Sequence, residues 1–220
     1  IMSETLASFE PAFLDQVRTR AEKSGCVITN LKMNQQEADL TSADPDVRRE
    51  TMRIYRASID AAHRLGCRWV RPALRDPKSK LETLATGYRD LIEYAAPKGI
   101  SLLVENHGGM RTDPNAIPSI IAAVGRGVAA QPDIGGWTDE TRDEGIRRSF
   151  PLAVTCDFKV FPFEPKGEHK PHDLKRCFDL SWDAGFRGPW CIEHFNDSLE
   201  GLWRGFARIA ETLRKWMPAV

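Results

Sequence analysis

The sequence predicts an α/β fold in which strands and helices alternate and the parallel strands close into a (β/α) barrel. Short apolar segments alternate with amphipathic helical segments, at intervals of roughly 25 to 40 residues. No glycine-rich turn follows the first predicted strand, whereas an open nucleotide-binding sheet would require one. Several strands end instead in acidic side chains, and the active sites of barrels are built from residues at these strand ends.

Amphipathic patterns and end signals locate the helices. From Arg48 to Leu65, apolar residues recur on one helical face, and Gly66 ends the segment. Asp113 is expected to be the N-cap of a later helix with Pro114 at its first position, although Pro118 fits that helix poorly. The other predicted helices cover residues 11–24, 81–95, 141–148, 173–184 and 202–217.

Six strands follow from the apolar segments between these helices. A closed barrel of this type has eight strands and typically ~250 residues. We therefore expect residues 1–220 to form a single domain in which the first one or two βα units are missing, or in which Ile1–Phe9 substitutes poorly for them. We expect truncation, or a second subunit that covers the gap, and hence a homo-oligomer. The predicted strands are Cys26–Leu31, Cys67–Leu74, Ile100–Glu105, Gly127–Pro132, Ala153–Val160 and Pro189–Phe195.

The composition of the chain indicates which binding partners and which cellular compartment to expect. Lys plus Arg and Asp plus Glu number 31 each, and this balance gives no reason to expect nucleic acid. No apolar segment approaches the ~20 residues that span a bilayer, so we expect no membrane partner. No signal peptide is recognisable, and the cysteines form no CxxC pair. We expect a cytoplasmic protein with buried, reduced thiols at Cys26, Cys67, Cys156 and Cys191.

Four strands end in an acid: Glu105, Asp133, Asp157 and Glu193. In a parallel barrel these ends open on one face, and side chains alternate inward and outward. Crowded carboxylates in a low-dielectric mouth repel each other unless a cation neutralises them. Oxygen ligands favour Mg²⁺ or Mn²⁺, with Co²⁺ or Zn²⁺ as alternatives. The competing interpretation is that each acid caps a helix or pairs with an arginine.

These motifs resemble the successive signatures of the xylose isomerase-like TIM barrel family, which includes sugar epimerases, inosose dehydratase, hydroxypyruvate isomerase and apurinic endonucleases. The resemblance rests on Val-Glu105-Asn-His, Asp133 after a short strand, Asp157-Phe-Lys, and Gly185-Phe-Arg-Gly before Ile-Glu193. It implies one divalent ion held by Glu105, Asp133, Asp157 and Glu193. Asp157 replaces the family's usual histidine, and Gly136 stands where the epimerases often have another histidine.

Further residues at the same strand ends are candidates for binding a substrate. His169 and His172 are expected to be solvated loop residues, and His63 and His194 to be structural. Trp137 is expected to form core or pocket wall. The candidate substrate-binding residues are His107, Lys159, Arg71, Asn30 and Trp137. The Lys159 cation would either hold a substrate oxygen or offset the excess of carboxylates.

The predicted reaction is proton transfer at a carbon next to a carbonyl of a sugar or sugar derivative, through an enediolate. Glu105 and Glu193 would remove and return the proton. Dehydration of the inosose dehydratase type, and a non-catalytic sugar-binding barrel, are the alternatives. The endonuclease branch is disfavoured, because it needs a histidine-rich three-zinc cluster and the chain has five histidines.

Overall fold

The structure, a computed structural model, describes residues 1–35, 37–74, 80–164 and 168–218. The chain forms two compact units. The first comprises Ile1–Met110 and Ala116–Ala129, and the second comprises Arg111–Asn115 and Ala130–Val220.

Four strands lie in the order β1-β2-β3-β4, all of them in the first unit except Ala130, the last residue of β4. Asp44 caps the second helix by accepting a hydrogen bond from the backbone N–H of Asp46, and Gly66 ends that helix with a φ of 80°. The strands are β1 Asn30–Met33, β2 Trp69–Pro72, β3 Ser101–Val104 and β4 Val128–Ala130, and the helices are α1 Pro11–Lys23, α2 Pro45–Leu65, α3 Leu81–Ala95 and α4 Ala116–Val124.

The register of the first sheet places polar side chains side by side. β1 and β2 pair in parallel with Lys32 level with Arg71, and β2 and β3 pair in parallel with Val70 level with Leu102. Side chains alternate along a strand, so Arg71 and Glu105 point to the same side of the sheet as Lys32. The opposite side carries Leu31, Val70 and Leu102, which are fully buried.

The second unit is built around the parallel pair β5 and β6, with Asp157 level with Cys191 and Lys159 level with Glu193. Asp133 lies beside Asp157 in an isolated parallel bridge. Aromatic rings fill its core, as Phe178 stacks on Trp190 with centroids 5.0 Å apart. Its elements are α5 Asp139–Ser149, β5 Cys156–Val160, α6 Leu174–Asp183, β6 Trp190–His194 and α7 Leu199–Trp216.

The predicted alternation of strands and helices is confirmed, and six strands lie within the described residues. The predicted bounds of β1 were wrong. This strand begins at Asn30 rather than Cys26, because the segment before it runs at the surface, with Val27 82% exposed. The fourth helix begins at Ala116, so Pro118 falls in its first turn, where a missing N–H is tolerated. Asp113 instead accepts a hydrogen bond from the backbone N–H of Asn115.

Burial was predicted correctly for two of the four named cysteines. Cys67 and Cys156 are buried, whereas Cys26 and Cys191 are exposed. Cys26 precedes β1 in the surface segment, and Cys191 lies on β6, whose one partner among the described strands is β5. None of the five cysteines, all described, forms a disulfide. The helices of the described segments include none with the length and apolarity needed to cross a bilayer.

Candidate active site

The ammonium group of Lys159 lies between two of the predicted acids in the second unit. Lys159 Nζ donates to Asp133 Oδ2 and lies 3.1 Å from Glu193 Oε1. We call Asp133, Lys159 and Glu193 the Lys159 cluster. Asp133 has 2% of its side chain exposed, whereas Glu193 has 29%, so one carboxylate is enclosed and the other reaches solvent.

Backbone pairing explains why these side chains meet. Lys159 and Glu193 are level on neighbouring parallel strands, which places their side chains next to each other. Asp133 comes alongside because the backbone N–H of Asp157 donates to Pro132 O at 2.9 Å, and the N–H of Ile134 donates to Asp157 O at 3.1 Å. Asp133 Oδ1 is held in turn by the N–H of Gly135 at 2.8 Å.

The surroundings of Lys159 favour its charged form. Burial by itself disfavours an ammonium, but attraction by Asp133 and Glu193 and hydrogen bonds to both outweigh that penalty. The pKa of Lys159 is therefore raised above its ordinary value. The group is a cation throughout the physiological range.

Asp157 turns its carboxylate to a neutral partner. Its side chain is fully buried, and the amide Nε2 of Gln131 donates to both oxygens, at 3.2 Å and 3.0 Å. A buried carboxylate requires such donors, because it has lost its water. Asp157 is therefore anchored in the second unit by Gln131.

The first unit holds Glu105 in a second group of charges, the Glu105 cluster, formed by Lys32, Arg71 and Glu105. Arg71 Nε lies 2.8 Å from Glu105 Oε2, and Lys32 Nζ lies 3.6 Å from the same oxygen. Arg71 and Glu105 therefore form an ion pair inside the first unit. Arg71 and Glu105 are both almost fully buried, so neither charge is balanced by water.

The remaining predicted substrate-binding residues differ in exposure. Asn30 is 9% exposed at the start of β1, and His107 is exposed two residues beyond Glu105. Trp137 is 1% exposed, which agrees with its expected role as core or wall and leaves almost no surface for a substrate contact. The convergence of Glu105 with the acids of the second unit stays a prediction from the sequence.

Three histidines of the second unit hold the end of β5. His194 Nδ1 donates to Val160 O at 2.8 Å, and His172 Nε2 donates to Lys159 O at 3.1 Å. The N–H of Phe161 donates to His169 Nε2 at 3.1 Å, so that nitrogen carries no proton and the ring is neutral. The backbone that carries Lys159 is thereby fixed.

The expectation that His172 is a solvated loop residue was wrong, because His172 is 7% exposed. Burial, aided by the neighbouring His169 and Arg142, lowers the pKa of His172 to about 4. His169 is half-buried, and burial lowers its pKa also. The expected structural role of His194 agrees with its burial.

The fit of a divalent ion depends on which oxygens are available to it. Asp133 and Glu193 are hard oxygen donors of the kind that Mg²⁺ and Mn²⁺ prefer. However, one oxygen of each, Asp133 Oδ2 and Glu193 Oε1, already contacts Lys159. Both oxygens of Asp157 face Gln131. Among the described residues of either unit, no three His, Cys, Asp or Glu side chains are grouped as a metal site requires. As arranged, these residues do not fit a divalent ion.

Lys32 and Gln131 were missed by the sequence analysis. Lys32 was passed over because β1 was placed too early, although Asn-Leu-Lys-Met alternates polar and apolar residues from Asn30 to Met33. Gln131 stands two residues before Asp133, on the same side of an extended segment. The two-residue alternation of side chains along a strand was therefore the signal that could have identified both Lys32 and Gln131.

Comparisons with known proteins agree with this architecture. Residues 3–219 match the family described as xylose isomerase-like TIM barrel. D-psicose 3-epimerase from Clostridium cellulolyticum H10, solved with D-tagatose, is 14% identical with a TM-score of 0.81, over 100% of this chain and 88% of that one. A D-tagatose 3-epimerase-like protein is 15% identical with a TM-score of 0.78, over 98% and 88% of the two chains.

A xylose isomerase-like TIM barrel protein from Mycobacterium smegmatis, solved in complex with magnesium, is 18% identical with a TM-score of 0.71, over 97% of this chain and 81% of that one. At these identities the likeness concerns the fold. No curated protein sequence matches this chain significantly.

Proposed function

Because the chain belongs to the xylose isomerase-like TIM barrel family, we propose that it is an isomerase or epimerase of a small sugar or sugar derivative. The observation that carries this proposal is the Lys159 cluster, in which a partly exposed carboxylate and an ammonium lie 3.1 Å apart on neighbouring strands. Several structural neighbours are sugar 3-epimerases, acting on D-psicose or L-ribulose by their names.

The proposed chemistry is proton transfer at the carbon next to a carbonyl. Glu193 removes a proton from that carbon, and the developing negative charge moves to the carbonyl oxygen. An ammonium has three N–H donors. Two of those on Lys159 serve Asp133 and Glu193, and the third is assigned to the substrate oxygen. Return of the proton to the opposite face of the same carbon gives an epimer. Return to the former carbonyl carbon gives an isomer, as the hydroxyl on the first carbon passes its proton to the former carbonyl oxygen.

Glu105 is the proposed partner of Glu193 in returning the proton, on the basis of its position at the end of β3. Arg71 and Lys32 hold its carboxylate in place within the first unit. His107, Arg71, Asn30 and Lys159 remain the proposed substrate contacts, and Trp137 the weakest of them because of its burial.

The expected divalent ion, Mn²⁺ or Mg²⁺ ahead of Co²⁺ or Zn²⁺, is supported by the oxygen donors of Asp133 and Glu193 and by the magnesium bound to one neighbour. The Lys159 contacts oppose it. We therefore assign no step of the reaction to an ion. Dimer or higher-order assembly and a cytoplasmic location likewise stay predictions from the sequence.

Solvent isotope exchange tests the proposal directly. The protein is incubated in D₂O with D-psicose, D-fructose, D-tagatose and L-ribulose, each with and without added Mn²⁺ or Mg²⁺, and followed by proton NMR. We expect loss of the signal from the hydrogen next to the carbonyl, together with a new epimer or isomer. Release of water would indicate a dehydratase. Sugar binding without exchange would indicate a non-catalytic barrel and overturn the proposal.

A further inference from the structure

Lys159 lies beside acids that the sequence pattern assigned to a metal ion. Its ammonium contacts Asp133 and Glu193, two of the four predicted metal ligands, within a single compact unit. We propose that Lys159 takes the place of the divalent ion, and that the Lys159 cluster works without a bound metal. This inference rests on the proposed function for its chemistry, but its geometry stands independently of the substrate.

The placement of Lys159 is built into the fold rather than adopted by a mobile surface side chain. Its aliphatic stem passes so close to Gly135 that a Cβ at that residue would lie 3.0 Å from Lys159 Cβ, Cγ and Cδ. Its carbonyl oxygen is held by His172 at 3.1 Å, and its side chain is 17% exposed. A glycine at position 135 is thus what leaves room for the lysine stem.

The balance of charges in the second unit also supports Lys159 in place of a divalent ion. The sequence argument for a metal was that clustered carboxylates need a cation, and in the second unit Lys159 supplies one. An ion at the same oxygens of Asp133 and Glu193 would lie beside the ammonium and would have to displace it. Asp157 offers no substitute, because Gln131 faces both of its oxygens.

The two cations would act differently on a substrate. A divalent ion can coordinate two oxygens of a hydroxyketone at once. The one remaining N–H of the Lys159 ammonium donates a hydrogen bond to a single oxygen. The Lys159 cluster would therefore stabilise charge on a single carbonyl oxygen, without chelating the neighbouring hydroxyl. An activity built on this cluster would survive removal of metals by a chelator.

Manganese binding tests this inference without a known substrate. Mn²⁺ is titrated into the wild-type protein, Lys159→Met and Lys175→Met, and the free ion is followed by electron paramagnetic resonance. Lys175 is a matched control, because it lies in the same unit and pairs with Asp179 at an exposed site. We expect no stoichiometric binding by the wild-type protein or Lys175→Met up to about 1 mM ion, and binding at least about tenfold tighter by Lys159→Met.

Each outcome of the manganese titration either supports or overturns the inference. Stoichiometric binding by the wild-type protein below about 1 mM ion overturns the inference. So does a folded Lys159→Met variant that binds no tighter than the wild type. Lys159→Gln is a second neutral variant, and circular dichroism establishes that each variant is folded. If neither variant folds, the wild-type titration decides alone. Absence of isotope exchange on every sugar would count against the proposed function and leave the manganese result standing.

Discussion

Gln131 presents its side-chain amide to both carboxylate oxygens of Asp157, with Nε2 at 3.2 Å from Oδ1 and 3.0 Å from Oδ2. Both residues are almost completely buried. Asp157, which the sequence predicts to be a metal ligand, is thereby anchored by the neutral amide of Gln131. Gln131 lies two residues before Asp133, another predicted ligand. The contact joins the segment that ends at Asp133 to strand β5.

Replacing Gln131 by leucine should remove donors from a buried carboxylate. We expect Gln131→Leu to lower the free energy of unfolding by about 1–3 kcal/mol, measured by urea denaturation. Gln16→Leu, at an exposed position of α1, is the control and should have little effect. The double variant Gln131→Leu with Asp157→Leu should recover part of the loss, because the carboxylate that needs the Gln131 donor is then absent. Additive losses in that cycle would contradict a direct interaction.

Arg71 should matter for stability more than any exposed ion pair of its unit. Removing one member of a buried pair leaves the other charge poorly compensated. Arg71→Met should therefore cost about 3 kcal/mol, because Lys32 compensates Glu105 only in part. Arg53→Met, which breaks an exposed pair with Glu50, should change stability little. Adding Glu105→Gln to Arg71→Met should restore stability. If it does not, the cost lies in packing rather than charge.

Stability should fall in mild acid because of His172. Its pKa is about 4 in the folded protein, below its ordinary 6.5, so the unfolded chain binds a proton that the folded chain does not. This contribution is fully present above pH 6.5 and is lost as the pH falls towards 4, by about 3 kcal/mol at most. His169, whose pKa is also lowered, acts in the same direction.

Urea denaturation between pH 4 and pH 7.5 measures this dependence. His172→Gln should flatten the slope, since glutamine does not titrate in this range. His107→Gln, at an exposed position, should leave the slope of the wild-type protein unchanged. Equal slopes for all three proteins would show that His172 is not protonated on unfolding.

Glu193→Gln should abolish the base of the proposed reaction while keeping the shape of the side chain. Isotope exchange should fall by about a hundredfold or more. Glu211→Gln is the control, because Glu211 pairs with Lys215 at an exposed site of α7, and its exchange rate should equal that of the wild-type protein. Full exchange by Glu193→Gln would remove Glu193 from the proton transfer, and the same test applies to Glu105→Gln.

The sequence by itself determined the alternation of strands and helices and the acids at the strand ends. Helix periodicity and stops such as Gly66 are local, so a helix could be assigned from Arg48 to Leu65 by its own pattern. The structure begins this helix earlier, at Pro45, with Asp44 as its cap. The bounds of β1 were harder to predict. A strand of four residues is fixed by its neighbours, and Asn30–Met33 is defined by pairing with β2.

The tertiary structure decided what the acids contact. The sequence could show that Glu193 and Asp133 end two strands, but not that Lys159 lies between their carboxylates. That arrangement depends on strand register and on the space left by Gly135, which are set by residues distant in the chain. Charge balance within a cluster depends on three-dimensional neighbours, so the sequence could predict a cation among these acids but not that the Lys159 ammonium contacts two of them.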